Sequence, residues 1–119
     1  MPRYMLLALN GPVAGEGKEE AYNKWYDEVH LPDLKAIAGV VSARRFKIVQ
    51  RKMPADAAWP YVAAYEIETE DLAAVMQRMA TEPRPFDPAF DRSGSGHILA
   101  IEVGGSQDEY ANQSAGEHC

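Results

Sequence analysis

Four segments of the chain have the apolar and β-branched composition of β-strands. The first ends at Asn10-Gly11-Pro12, a turn signal. The second alternates imperfectly, so that Arg44 and Arg45 fall on opposite faces of its strand. The third alternates cleanly, with Tyr61, Ala63, Tyr65 and Ile67 on one face. The predicted strands are residues 4–9, 40–50, 61–67 and 97–103.

Two segments have the 3.6-residue periodicity of amphipathic helices. We expect Pro32 to interrupt the first helix, because the residue before a proline avoids the helical region. Gly39 is a stop signal for the turn that follows. Thr69 is the predicted N-cap of the second helix, which spans residues 70–79. The apolar positions are Tyr22, Trp25, Tyr26 and Val29 in the first helix and Leu72, Val75, Met76 and Met79 in the second.

The element order is therefore β-α-β-β-α-β, which predicts an α+β, ferredoxin-like protomer. Such a protomer has a four-stranded antiparallel sheet with two helices on one face. Residues 82–96 hold three prolines and are predicted to form a long ordered loop. We expect one domain over residues 1–104 and a polar tail over residues 105–119.

The two helices cover only one face of that sheet, yet the first and last strands are apolar on both faces. Either Met5, Leu7 and Leu9 or their neighbours in the sequence face away from the helices. Strands that are apolar on both sides are usually buried on both sides. A second copy of the chain is the simplest cover, so the sequence predicts a homodimer that packs sheet to sheet.

Composition excludes several classes of function. The 119 residues contain 18 acids and 12 bases, for a net charge of -6. This charge argues against nucleic-acid and membrane-surface partners. No segment has the length of a membrane-spanning helix. The one cysteine, Cys119, cannot form an internal disulfide, so we expect a cytoplasmic protein.

His30 is the strongest candidate for chemistry. It lies beside Tyr26 at the end of the first helix, next to the proline, where a side chain can project into a cleft. An ordinary histidine exchanges a proton near neutral pH, which suits an acid or base. A histidine there also suits the helix dipole without any catalytic role. Likewise, Trp25 and Tyr26 at helical spacing are more typical of a core than of a ligand site.

The runs NKWYDEVHLPDL and IAGVVSARRF resemble the EthD-like branch of the dimeric α+β barrel superfamily. The resemblance is detailed from the first helix through the second strand. It implies a ferredoxin-like protomer that pairs sheet to sheet into a barrel, with a pocket between the sheet and the helices of each protomer. In several members a histidine near the pocket acts as acid or base, and His30 is the matching position. Members include polyketide cyclases, lactone isomerases, monooxygenases and haem-degrading proteins.

Other side chains are weaker candidates for substrate binding. One of the two adjacent arginines is expected to enter the pocket and hold an oxyanion, and the other to lie on the surface. Two tyrosines of the third strand either donate hydrogen bonds or only pack. Two phenylalanines of the proline-rich loop form a lid or fill the core. With the histidine that opens the fourth strand as a minor candidate, the substrate-binding set is Trp25, Tyr26, Arg44, Arg45, Tyr61, Tyr65, Phe86, Phe90 and His97.

No metal or other cofactor is expected. Asp27, His30 and Asp33 recur at a spacing of three, but Asp27 lies on the polar helix face and Pro32 follows His30. No phosphate-binding loop or nucleotide motif is present in the sequence.

The leading hypothesis is a small cofactor-independent enzyme that isomerises, cyclises or eliminates a hydrophobic carbonyl compound, aromatic or polyketide-like, by proton transfer at His30. One alternative is a monooxygenase, either cofactor-independent or haem-dependent. The other is an accessory protein that binds a small molecule without turnover.

Overall fold

A computed structural model describes residues 1–54 and 59–105. The predicted order of strands and helices is confirmed, whereas nearly all of the predicted tail lies outside the described residues. The strands are β1 Arg3–Asn10, β2 Val40–Lys47, β3 Tyr61–Glu68 and β4 Gly96–Ile101, and the helical segments are α1 Lys18–Trp25, a π-helical segment Tyr26–His30, α2 Leu31–Lys35 and α3 Leu72–Thr81.

The four strands form one antiparallel sheet in the order β2-β3-β1-β4. In the central pairs, Leu6 lies opposite Tyr65 of β3 and Leu99 of β4. This is the predicted ferredoxin-like topology, with non-consecutive strands as neighbours. The face of the sheet that carries Leu6 and Tyr65 packs against the helices. The side chains of both residues belong to the buried core. We call the opposite face of the sheet the open face.

Strand β2 departs from simple alternation near its start. The pairing of β2 with β3 shifts between Val40 and Ser42, which is the irregularity of a β-bulge. Because the bulge adds one residue, it inverts the alternation, and Val40 faces the helices together with Ala43 and Arg45. Val40 is accordingly buried. Simple alternation would instead place Val40 on the same face as Ser42.

The expected break of the first helix at Pro32 is also wrong. Leu31, the residue before the proline, has helical angles of φ -61° and ψ -48°. The preceding turn widens instead into a π-helix, in which the N–H of Leu31 donates to the carbonyl of Tyr26. A proline in a regular α-helix clashes with the carbonyl four residues before it. The wider turn lies where that clash would occur, so the helical backbone continues through the proline.

The ends of the other helices follow local hydrogen bonding. The N-cap of α3 is Asp71, whose Oδ1 accepts from the N–H of Ala74 at 3.1 Å. The predicted cap, Thr69, instead accepts the N–H of Asp71 through its hydroxyl at 3.0 Å. Gly39, the predicted stop, lies between α2 and β2 with a φ of 99°, which favours glycine.

The core lies between the helices and the sheet. Its most deeply buried large side chains are Tyr22, Tyr26, Tyr65 and Ile67. In the described part of the chain, no helix is both long enough and apolar enough to cross a membrane.

Candidate functional site

A cavity of about 360 Å³ lies between the sheet and the helices, under the loop that joins α3 to β4. Its walls are mostly apolar and come from β1, α2, α3 and the loop. Exposed residues, including Arg92, Ser95 and His97, lie at its opening. An apolar cavity with a few converging polar groups is typical of a small-molecule site. The polar side chains that line it are Asn10, Tyr26, His30, Tyr65, Arg92, Ser95 and His97.

The structure brings most of the predicted site residues to this cavity and separates four from it. Arg44 lies on the open face, where its guanidinium contacts the ring of Phe46. The other three lie behind the cavity wall and support it: Trp25, Arg45 and Tyr61. The predicted residues that line the cavity are Tyr26, His30, Tyr65, Phe86, Phe90 and His97.

His30 is enclosed by aromatic rings. Its imidazole stacks on Trp25 with ring centroids 4.7 Å apart and meets the edge of Tyr26 at 5.2 Å. Phe86 of the loop lies 5.3 Å away on another side. Only 8% of the residue is exposed, and Nδ1 has no hydrogen-bond partner among the described residues. The π-helical segment ends at His30 and contributes both His30 and Tyr26 to the site.

This environment corrects the expectation that His30 titrates near neutrality. Burial lowers the pKa of His30 to about 4, because the charged imidazolium is poorly solvated there, and the charge of Asp33 opposes this only partly. His30 is therefore neutral at pH 7. In this state it can accept a proton or form a neutral hydrogen bond, but it has no extra proton to give as an acid.

Three buried tyrosines and one asparagine form a hydrogen-bonded chain along the cavity floor. The hydroxyl of Tyr22 donates to Asn10 Oδ1 at 2.5 Å, and Asn10 Nδ2 donates to the hydroxyl of Tyr26 at 3.2 Å. The hydroxyl oxygens of Tyr26 and Tyr65 lie 3.4 Å apart, and either can donate. Burial raises the pKa of Tyr22 and of Tyr65, so both phenols stay protonated.

The hydroxyl groups of Tyr26 and Tyr65 have more protons than the hydrogen bonds between them use. Tyr26 and Tyr65 have two hydroxyl protons, and the contact between them uses one. Whichever phenol donates, the other proton has no acceptor among the described residues. The Tyr26–Tyr65 pair, whose two residues line the cavity, therefore keeps one phenolic O–H without an acceptor among the described residues, and such a donor suits a carbonyl oxygen or an enolate.

Arg45 anchors the aromatic wall from behind. Its guanidinium carbon lies 4.5 Å from the ring centroid of Tyr26 and 5.2 Å from that of Tyr22. Its nitrogens donate to Asp27 Oδ1 at 2.7 Å and to Asn23 Oδ1 at 2.8 Å. Of the two adjacent arginines, Arg45 thus faces the helices. It reaches the site through the tyrosine rings and not by lining the cavity.

Sequence reasoning missed several polar residues at this site, among them Asn10, Tyr22 and Arg92. Asn10 lies on the same face of β1 as Leu6 and Ala8, so the alternation of this strand indicates a polar side chain that faces the helices. It was taken only as part of a turn. Tyr22 was recognised as a core position, but its partner Asn10 is distant in sequence. Arg92 lies in a loop, where no periodicity indicates direction.

Asp27, His30 and Asp33, which recur at a spacing of three in the sequence, do not form a metal-binding cluster among the described residues. Asp27 binds Arg45, and Asp33 binds Arg84 through both carboxylate oxygens. Over residues 1–54 and 59–105, no group of three or more His, Cys, Asp or Glu side chains is placed to hold a metal ion.

Solved structures with this architecture include three with TM-scores above 0.5. A DABB family protein with a ferredoxin-like fold from Mesorhizobium loti has a TM-score of 0.59 at 12% identity, covering 87% of this chain and 100% of its own. An EthD family protein from Bacillus halodurans has a TM-score of 0.57 at 14% identity, with the same coverage. A dimeric ferredoxin-like protein of unknown function from Jannaschia has a TM-score of 0.54 at 17% identity, covering 85% and 99%.

The chain has the ferredoxin-like fold of these EthD and DABB proteins. The prediction made from the EthD-like sequence resemblance is thus confirmed at the level of the fold. Neither a protein-family model nor a curated protein matches the sequence.

The depressed pKa of His30 predicts a specific dependence of stability on pH. Below pH 6.5 the unfolded chain binds a proton at His30, whereas the folded protein binds it only near pH 4. This contribution to stability is therefore complete above 6.5 and is lost as the pH falls towards 4. Between about pH 7.5 and about pH 5, we expect His30 to account for a loss of about 2 kcal/mol.

Urea unfolding of the wild type and of His30→Gln, each at both pH values, measures this contribution. The glutamine does not titrate, so the variant should lose about 2 kcal/mol less than the wild type over the same interval. Equal losses in the two proteins would show that His30 titrates normally in the folded state.

Proposed function

We propose that this protein binds a small, mostly apolar carbonyl compound in the cavity and catalyses proton transfer on it, with His30 as the base. The observation that carries the proposal is the shared cavity: a neutral imidazole and a spare phenolic O–H line the same apolar space. A base and an oxyanion donor are the two groups that enolisation requires.

The roles follow from the chemistry of each group. His30 accepts a proton from the carbon next to the carbonyl. The Tyr26–Tyr65 pair donates its free O–H to the carbonyl oxygen as negative charge develops there. Arg45, 4.5 Å from the ring centroid of Tyr26, stabilises negative charge on that side of the cavity. Return of the proton to another carbon completes an isomerisation, and attack of the enolate on a second carbonyl completes a cyclisation.

The low pKa of His30 restricts the proposed substrates to compounds with an acidic C–H bond. A weak base removes a proton efficiently only from an acidic C–H. A carbon between two carbonyl groups, as in a polyketide-like 1,3-dicarbonyl compound, meets this requirement better than a simple ketone. The cavity volume of about 360 Å³ also favours a compound of one or two rings.

The protomer is proposed to act as a homodimer that pairs through the open face. That face carries exposed or half-buried apolar side chains on all four strands, including Phe46 on β2 and Ile98 on β4. The Jannaschia protein with this fold is itself described as dimeric. A contiguous apolar surface of this kind is typical of an interface.

Proton exchange on a model compound tests the catalytic proposal. The aromatic 1,3-diketone 2-acetyl-1-tetralone is incubated in D₂O with the wild type or with His30→Gln, and NMR follows both binding and deuterium uptake at C2. We expect the wild type to accelerate uptake and the variant to lose at least about tenfold of that acceleration, because a general base contributes about 10²–10⁴. Binding should change by much less. Equal acceleration in the two proteins would refute His30 as the base.

A second function, ligand binding without turnover, is favoured by one specific observation: His30 is a weak base, and its Nδ1 lacks a partner among the described residues. Saturable binding of the diketone with no acceleration of exchange in the wild type would support it. Oxygen consumption during incubation would instead support the monooxygenase alternative, and a Soret band on haem titration its haem-dependent form.

A further inference from the structure

The cavity differs in charge from the rest of the molecule. The chain has an excess of six negative charges. Even so, no Asp or Glu is found among the described residues that line the cavity, whereas Arg92, His30 and His97 line it. A site that excludes acids and includes a cation is matched to an anionic ligand.

Arg92 is available to bind such a ligand. Four other arginines form ion pairs: Arg3, Arg45, Arg78 and Arg84. Within residues 1–54 and 59–105, Arg92 forms none, and its guanidinium carbon lies 4.7 Å from the ring centroid of Phe86.

The acids nearest to Arg92 in the sequence are engaged in holding the loop. Asp91 Oδ1 accepts from the hydroxyl of Ser93 and the N–H of Gly94. Asp87 Oδ1 accepts from the N–H of Ala89. These contacts shape the loop that carries Arg92 and leave its guanidinium at the cavity opening.

Phe86 lies against both Arg92 and the proposed base, His30. Phe86 contacts the guanidinium on one side, and its ring centroid lies 5.3 Å from that of His30. A ligand that lies along this ring would reach both groups if an anionic group and a reacting carbonyl were separated by about one phenyl ring. The contact of both groups with this one ring thus favours a ligand that carries an anionic group about one phenyl ring away from its carbonyl.

We propose that the ligand of this cavity is a carboxylate, whose carboxylate group binds Arg92 at the opening while its carbonyl oxygen accepts the free phenolic O–H of the Tyr26–Tyr65 pair. Arginine binds carboxylates through paired, charge-assisted hydrogen bonds. The inference rests on the proposed function because it uses the same cavity, and it adds the substrate class: an aryl keto acid or a compound of that shape.

Two matched compounds and three variants test this inference by calorimetry. The acid 4-acetylbenzoate carries a ketone and a carboxylate across one ring, and methyl 4-acetylbenzoate keeps the ketone but has no charge. We expect the wild type to bind the acid more tightly than the ester. Arg92→Gln should weaken binding of the acid about three- to tenfold and leave the ester unchanged, as for a solvent-accessible ion pair. Arg92→Lys should retain part of the preference.

Arg78→Gln is the control, because it removes the same charge from an exposed arginine on α3 that does not line the cavity. The inference is refuted if acid and ester bind equally, if neither binds, or if the two glutamine variants weaken the acid to the same extent. Equal binding of both compounds in the cavity would leave the proposed function standing. Exchange of the tetralone proton in the Arg92→Gln variant reports on that function separately.

Discussion

Replacing Leu7 by aspartate is expected to convert the protein from a dimer into a monomer of 13.2 kDa. Leu7 lies on the open face of the central strand β1, between Ala64 of β3 and Ile98 of β4. In the proposed dimer its side chain lies near the middle of the buried surface, where a carboxylate has no partner. Burying an unpaired charge costs several kcal/mol, which exceeds what a small interface tolerates.

Light scattering coupled to size exclusion at micromolar concentration measures this effect. In the isolated protomer Leu7 is half-buried, so the aspartate remains solvated and circular dichroism should show a folded chain. Ala73→Asp adds the same charge on the exposed surface of α3 and should remain dimeric. A wild type that is monomeric at this concentration, or a Leu7→Asp protein that is still dimeric, would contradict pairing through the open face.

Replacing Arg45 by alanine is expected to lower the free energy of unfolding by about 2–4 kcal/mol. The side chain is only 10% exposed and lies against three tyrosine rings, of which Tyr61 is 5.1 Å away. The variant loses these contacts together with the hydrogen bonds to Asn23 and Asp27. Arg45→Lys retains the charge but not the planar group that binds both partners at once, so its loss should be intermediate.

The neighbouring arginine provides a matched control for Arg45→Ala. Arg44 lies on the open face of β2, is exposed in the protomer, and contacts the ring of Phe46 there. Made in the monomeric Leu7→Asp background beside Arg45→Ala, Arg44→Ala should therefore change the free energy of unfolding by no more than about 0.5 kcal/mol. Similar losses for the two variants would mean that burial among the tyrosines contributes little.

The order of elements was predictable because it is encoded locally. The alternation of Tyr61, Ala63, Tyr65 and Ile67 defines β3 and its buried face without any knowledge of partners. The predictions were wrong where the structure depends on which other group a residue pairs with. The bulge that moves Val40 to the helix face depends on how β2 aligns with β3. The choice of Asp71 over Thr69 as cap depends on which oxygen the first free N–H reaches.

The site was less predictable than the fold for the same reason. His30 was recognisable from its place in the helix, but its low pKa results from burial by Trp25 and by Phe86, which is distant in sequence. The role of Asn10 depends on Tyr22 and Tyr26, which only folding brings to it. Contacts between distant residues leave no periodic signal in the chain.

The π-helical turn gives this site a sensitivity to deletion that its side chains alone would not show. Removing one residue between Tyr26 and His30 would close the wide turn to the α-helical spacing, which brings the ring of Pro32 against the carbonyl four residues before it. A proline inside a regular α-helix kinks or breaks it, so α1 and α2 would no longer meet at the same angle. Tyr22 and Trp25 of α1 would then be displaced from their contacts with Asn10 and His30. The geometry of the site thus depends on the length of this one turn as well as on the residues that line it.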